Sequence, residues 1–107
     1  MSFSKVAVKY ASTLYSSISA VPEFEKIFQD AEDILRIFDE NPNLKRIIGI
    51  PVFKDSDKLA ILMKIFEGKV DESLTGFIGF LAKKERISNT YEVFQAFLDV
   101  SDKDRGF

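Results

Sequence analysis

Cysteine, histidine and tryptophan are all absent from this chain. Without cysteine there is neither a disulfide framework nor a thiolate zinc site, and the redox compartment stays open. Without histidine as well, the usual general bases, activated nucleophiles and soft-metal ligands are missing. Carboxylates, lysines and three tyrosines are what remain for chemistry. None of the patterns GxxxxGK[ST], GxGxxG or GxSxG occurs, so there is no phosphate cradle or nucleophile elbow to build on. The chain therefore reads as non-catalytic, with no cofactor-binding and no metal-binding residues. Long apolar runs are lacking too. The longest is LAILM at residues 59–63, far short of the ~18 residues a membrane helix needs, so direct membrane insertion is not expected. A net charge of −2 without a basic patch argues against nucleic acid as a partner.

What is present describes one globular domain. The chain has 107 residues, 46% hydrophobic and 30% charged, enough to close a single core. Eleven phenylalanines point to a core built from large rings. Residues 1–22 hold Lys5, Lys9, six serines and no acid, a composition close to an organelle transit peptide. Arginine is missing there, however, and Ala7, Ala11, Leu14 and Ile18 make a tight helical stripe. The segment reads instead as a first helix with a weakly basic outer face.

The rest reads as helix after helix. Over residues 23–39, Phe24, Ile27, Phe28, Ala31, Ile34, Leu35 and Phe38 recur at spacings of three and four, with Glu23 and Glu25 where the helix dipole favours anions. Asn41-Pro42 reads as the N-cap and first position of a short third helix that holds Leu44, Ile47 and Ile48 and stops at Gly49. Residues 50–53, Ile-Pro-Val-Phe, read as a buried linker because a proline in so short a run argues against a strand. Asp55 or Ser56 is expected to cap a fourth helix with a stripe of Leu59, Leu62, Met63 and Phe66, ended by Gly68. Asp71 is expected to cap a fifth helix and Ser88 a sixth, with Tyr91, Phe94, Leu98 and Phe97 turned inward and Gly106 as its end. No segment alternates with period two, so the fold is all-α, a compact bundle of six helices with short connections.

The fifth helix has two faces. At ~100° per residue, Leu74, Phe77, Ile78, Leu81 and Ala82 form a core stripe, while Gly76, Gly79, Phe80 and Lys83 lie opposite, where charged residues normally sit. Each glycine inside a helix costs ~1 kcal/mol relative to alanine. On the first helix Val6, Tyr10, Thr13 and Ser17 make a second, milder stripe. Side by side, the two helices could form a trough floored by Gly76 and Gly79 and walled by Tyr10 and Phe80, suited to an amphipathic helix. Equally, the glycines could let the first helix approach closely, with Phe80 in a two-sided core. The pattern leaves both readings open. Other features are plainer. The acids of the second helix read as a solvated face, since Asp30, Asp33 and Glu40 lack dense ligand spacing. Lys83, Lys84 and Arg86 pair with a helix C-terminus and would also suit an acidic partner helix. Tyr10, Tyr15 and Tyr91 read as packing residues.

Residues 6–15, VAVKYASTLY, resemble the opening helix of the delta subunit of F-type ATP synthase, whose mitochondrial equivalent is the oligomycin-sensitivity-conferring protein. Asn41-Pro42-Asn43-Leu44-Lys45 resembles that family's second-to-third helix corner. Residues 58–66 with Lys69 resemble its fourth helix. Residues 77–87 resemble its apolar run followed by Leu-Ala-x-x-x-Arg-[Leu/Ile]. The resemblance covers almost the whole chain in order and spacing. There are departures. Glu85 stands where the family usually has glycine, which predicts a differently shaped end to the fifth helix, and Gly76 and Gly79 replace residues that are often larger.

The resemblance implies a six-helix N-terminal domain over residues 1–105, with 106–107 opening a junction to a C-terminal domain. It implies a non-catalytic stator subunit that binds the N-terminal helix of an alpha subunit between helices one and five, at Tyr10, Thr13, Gly76 and Phe80. Val6, Gly79 and Lys83 join the candidate site from the same faces. The peripheral stalk (b) subunit would be engaged mainly through the C-terminal domain. The isolated chain is expected to be monomeric, and the complex to lie against the bacterial cytoplasmic membrane, or an organelle inner membrane on its matrix or stromal side. A death-fold-like helical adaptor is the alternative from composition and helix count.

Overall fold

The computed structural model describes residues 2–106. Met1 and Phe107 lie outside the described residues, so the junction expected at 106–107 is described only at Gly106. Six α-helices follow one another: α1 (Lys5–Ile18), α2 (Phe24–Glu40), α3 (Pro42–Gly49), α4 (Asp55–Phe66), α5 (Glu72–Lys83) and α6 (Thr90–Arg105). One turn of 3-10 helix, Ile87–Asn89, leads into α6. No strand occurs among the described residues, and the chain is the all-α six-helix bundle that its periodicities predict.

Apolar spacing decides which face each helix buries. On α2 the stripe holds throughout: Phe24, Ile27, Ala31, Ile34, Leu35 and Phe38 are buried, and Phe28 packs partly buried against them. Rings fill the middle of the bundle. Phe24 lies edge-on to Tyr15 at 5.8 Å between centroids and beside Phe97 at 6.4 Å. Phe38 stacks on Phe66 at 6.4 Å and meets Tyr91 edge-on at 5.7 Å. Such pairs add roughly 0.5–1.5 kcal/mol each beyond their buried area.

α1 and α6, the first and last helices, run parallel and are clamped at both ends. Ser4 caps α1 by accepting from the Ala7 N–H at 3.1 Å. The first turn of α1 has no acid of its own, and Glu92, from the first turn of α6, supplies one. Its carboxylate accepts from the Ser4 N–H at 3.0 Å and the Ser4 hydroxyl at 2.9 Å. At the far end the Arg105 guanidinium donates to the Ser19 carbonyl and stacks over the Phe24 ring at 3.5 Å. There the Tyr15 hydroxyl also donates to Asp104, which raises the Tyr15 pKa.

Several local expectations are corrected. The linker at 50–53 is not buried: Val52 is 83% and Phe53 41% exposed. The reason is Lys58, whose side chain is 0% exposed and whose ammonium donates to the Ile50 carbonyl at 2.6 Å and to Ser88 Oγ at 2.7 Å. Lys58 draws in the start of the linker, and the Pro51 turn then throws the next two side chains outward. Ser88 consequently serves Lys58 rather than capping α6, which starts at Thr90 behind Asn89 with no side-chain cap. α4 likewise begins behind Lys54 with no side-chain cap; Asp55 and Asp57 sit in its first turn instead, where they favour the dipole. Asn41 precedes Pro42 as expected, but its amide donates back to the Ile37 carbonyl at 2.8 Å.

The end of α5 keeps the shape a glycine would give it. Glu85 has φ 59° and is the one non-glycine residue of positive φ among those described. The Glu85 N–H donates to the Ala82 carbonyl at 3.0 Å and the Arg86 N–H to the Leu81 carbonyl at 2.7 Å. Those two bonds define a Schellman stop with its left-handed residue at position 85. Glycine adopts that left-handed conformation freely, and here the glutamate carries the strain of it.

Candidate functional site

α5 is held at both ends, which fixes the outer face between them. At its start the Asp71 carboxylate accepts from the Ser73 N–H at 3.0 Å and the Ser73 hydroxyl at 2.6 Å, capping the helix. The hydroxyl and amide of Ser73 hold the Asp71 carboxyl below the usual carboxylate range. Buried Asp30 on α2 accepts from the Asp71 N–H at 2.8 Å and from Lys26 at 2.6 Å, tying that end to the bundle. The Schellman stop closes the other end. Between them Leu74, Phe77, Ile78 and Leu81 are buried, so the opposite side must face outward.

Gly76 is exposed and Gly79 half-buried on that outer side. Apart from its flanking residues and the backbone of its own helix, a Cβ built at either glycine would find no atom of the chain within 4 Å. Close approach of α1 therefore does not explain the glycines; the space beside them is empty. Phe80 is half-buried and Lys83 exposed. On α1, Val6 is half-buried, Thr13 is exposed with its hydroxyl donating to the Lys9 carbonyl at 3.0 Å, and Tyr10 is only 9% exposed.

One of the two open readings makes Tyr10 and Phe80 the opposite walls of a trough, and the other puts Phe80 in a two-sided core. The two rings meet edge-on, at 5.9 Å between centroids and 63°. The physical cause is the ring column beneath them: Phe80 stacks on Phe77 at 6.1 Å, and Phe77 meets Phe94 of α6 at 6.1 Å, so Phe80 leans toward the core and Tyr10 closes over it. The α1–α5 face is thus an aromatic seam with a bare glycine strip alongside, rather than a two-walled slot. Two cations flank the seam. Lys9 Nζ lies 5.5 Å from the Tyr10 ring centre and Lys84 Nζ 5.7 Å from that of Phe80. From the sequence, Lys84 stood in the basic cluster suited to an acidic partner helix, whereas Lys9 was noted only on the weakly basic outer face of the first helix. A separate depression of about 310 Å³, lined by Phe24, Glu25, Phe28, Gln29 and Glu32, belongs to α2 alone. It lacks the second helix that would cradle a guest helix, and the α1–α5 face remains the better candidate.

The same chain matches the family model described as ATP synthase delta (OSCP) subunit over residues 6–107. The chain belongs to that family. Among curated relatives it is 34% identical over 95 residues to ATP synthase subunit delta of Prochlorococcus marinus (strain MIT 9211), covering 89% of this chain and 52% of that protein. It is 32% identical over 85 residues to the subunit of the same name from Clostridium beijerinckii, covering 79% of this chain and 48% of that protein. The corresponding figures for Trichodesmium erythraeum are 28% over 94 residues, 88% and 52%. The chain spans about half the length of the curated relatives it matches. Family membership displaces the adaptor reading. Among the described residues no helix is long and apolar enough to cross a membrane.

Proposed function

We propose that this domain is the head-binding part of a stator subunit of a proton-transporting F-type ATP synthase. It carries out no chemistry. It holds the N-terminal helix of an alpha subunit on the face between α1 and α5, so that the catalytic head resists the torque of the rotor. The peripheral stalk is reached mainly through a C-terminal domain, and the complex sits against the membrane without this domain entering it.

The observation that supports this most is the empty strip at Gly76 and Gly79 beside the Tyr10–Phe80 seam. Two helix-interior glycines whose added Cβ would meet no other part of the fold are unfavourable for the isolated domain, which supports a reading in which another molecule lies there. Val6, Thr13 and Lys83 flank that strip by position. A guest helix would be held by apolar burial at ~25 cal/mol per Å², less the cost of ordering it.

The test is a titration of the chain with an alpha-subunit N-terminal peptide, followed by amide chemical shifts. Shifts concentrated at Gly76, Gly79, Phe80 and Tyr10, with affinity reduced in Phe80→Ala and Gly76→Leu while both stay folded, are expected. Unchanged affinity in both variants would rule the face out.

A further inference from the structure

The candidate face is charged asymmetrically along its length. α5 begins with Asp71 and Glu72 and ends with Lys83 and Lys84. α1 contains no acid at all, and its exposed lysines are Lys5 and Lys9. Lys9 and Lys84 each hold an ammonium near one ring of the Tyr10–Phe80 seam, one from α1 and one from the end of α5, at 5.5 and 5.7 Å from the ring centres. Lys5, Lys9, Lys83 and Lys84 form no ion pair among the described residues, a trait they share with several other cations of the chain, and so their charges are open to a partner. An apolar seam edged by unpaired ammonium groups repels a basic helix and attracts an acidic one.

We propose that the occupant of this face is an amphipathic helix carrying carboxylates along one flank of its apolar stripe, and that Lys9 and Lys84 receive them. The apolar stripe lies over Gly76, Gly79 and the edge of Phe80. The flanking carboxylates reach the two ammonium groups, each of which lies close to one ring of the seam. Charge thus sets which helix is accepted and in which rotational position, while apolar contact supplies most of the hold. This rests on the face identified above but adds a chemical criterion for its partner.

Three synthetic helical peptides with one apolar stripe and a flank of Glu, Gln or Lys separate the two ideas. Each is titrated into the chain while amide shifts and affinity are recorded. The Glu peptide is expected to bind about fivefold more tightly than the Gln peptide, as two exposed charge pairs provide, and the Lys peptide more weakly than either. Raising salt from about 0.05 to about 0.5 M should erase most of that difference. The double variant Lys9→Glu/Lys84→Glu should reverse the order. Equal affinities for all three peptides, with shifts at Gly76 and Gly79, would overturn the charge criterion and leave the face standing. Shifts elsewhere, or none, would overturn both. Because Lys9 and Lys84 are exposed, the double variant keeps its fold; a Lys9→Gln/Lys84→Gln pair that fails to level the three affinities would also count against the proposal.

Discussion

Replacing Gly76 and Gly79 by alanine should make the domain more stable, not less. Glycine in the interior of a helix is less favourable than alanine by ~0.8–1.0 kcal/mol, largely because it leaves the unfolded chain freer. The usual reason to keep it is a clash that a methyl group would create, and here a Cβ at either position meets nothing within 4 Å. The gain is therefore uncompensated, about 1 kcal/mol at each site and about 2 kcal/mol for the pair if the sites add. For a domain near 100 residues that corresponds to a rise of about 8–16 °C in Tm. Urea unfolding followed by circular dichroism should show a higher midpoint with an unchanged slope. Gly76→Leu should likewise remain folded, since its side chain points into open space, yet should weaken guest binding at least ~tenfold, or about 1.4 kcal/mol. Loss of stability in either alanine variant would mean that the glycines serve internal packing after all, and the case for an open face would fall with it.

Further consequences can be measured in the same way. Glu85→Gly should add about 1 kcal/mol to unfolding stability, because a left-handed L-residue costs roughly 1–2 kcal/mol and glycine returns part of that relief as unfolded-state entropy. A neutral or destabilising result would deny the strain at φ 59°. Lys58→Ala should cost roughly 2–4 kcal/mol, combining a cavity with two lost hydrogen bonds. Lys58→Met should cost less because it keeps the buried stem, and equal losses would show that only the ammonium matters. The Asp71 carboxyl has its pKa lowered in the folded state, chiefly by the Ser73 hydroxyl and then by the Ser73 N–H. Its contribution is therefore fully present above the unfolded-state value near ~3.9 and is lost as pH falls through the folded value. Asp71→Asn should flatten the acid limb of the stability–pH curve below about pH 4, and an unaltered limb would contradict the cap's role.

Much of this molecule was legible because its helices obey a simple period. α2 repeats so regularly at three and four that its apolar buried face could be named residue by residue. Asp30, however, read as part of a solvated acidic face, is buried because its carboxylate accepts from the Asp71 N–H and from Lys26. α6 was harder. Thr90 and Ser101 are 0% exposed, and each hydroxyl donates to a carbonyl of its own turn, Ile87 and Phe97 respectively, which lets small polar side chains be buried. Nothing in composition distinguishes such a serine from one in a polar tail. Lys58 was opaque for a related reason: a lysine is read as surface until its carbonyl and hydroxyl partners are seen in space. The same blind spot misplaced the linker at 50–53 and the start of α6. At the candidate face, the two-sided pattern of α5 was visible, but not that Tyr10 and Phe80 would touch, since that depends on how far Phe77 and Phe94 push one ring toward the other.

The parallel pairing of the chain's two outermost helices has a mechanical consequence. The chain enters beside Ser4 and Glu92 and leaves beside Ser19 and Arg105, at opposite ends of the α1–α6 pair. Tension between entry and exit slides one helix lengthwise past the other instead of peeling them apart turn by turn. Every contact along the pair, from the Ser4–Glu92 clamp to the Tyr15–Asp104 and Arg105–Ser19 hydrogen bonds, then bears strain at once and must yield together. Pulled the other way, across the pair from a single end, the same contacts would open in series at far lower force. The domain should therefore be stronger along one axis than across it. Force spectroscopy with handles at either pair of ends should show a higher unfolding force in the lengthwise geometry, equal forces refuting it.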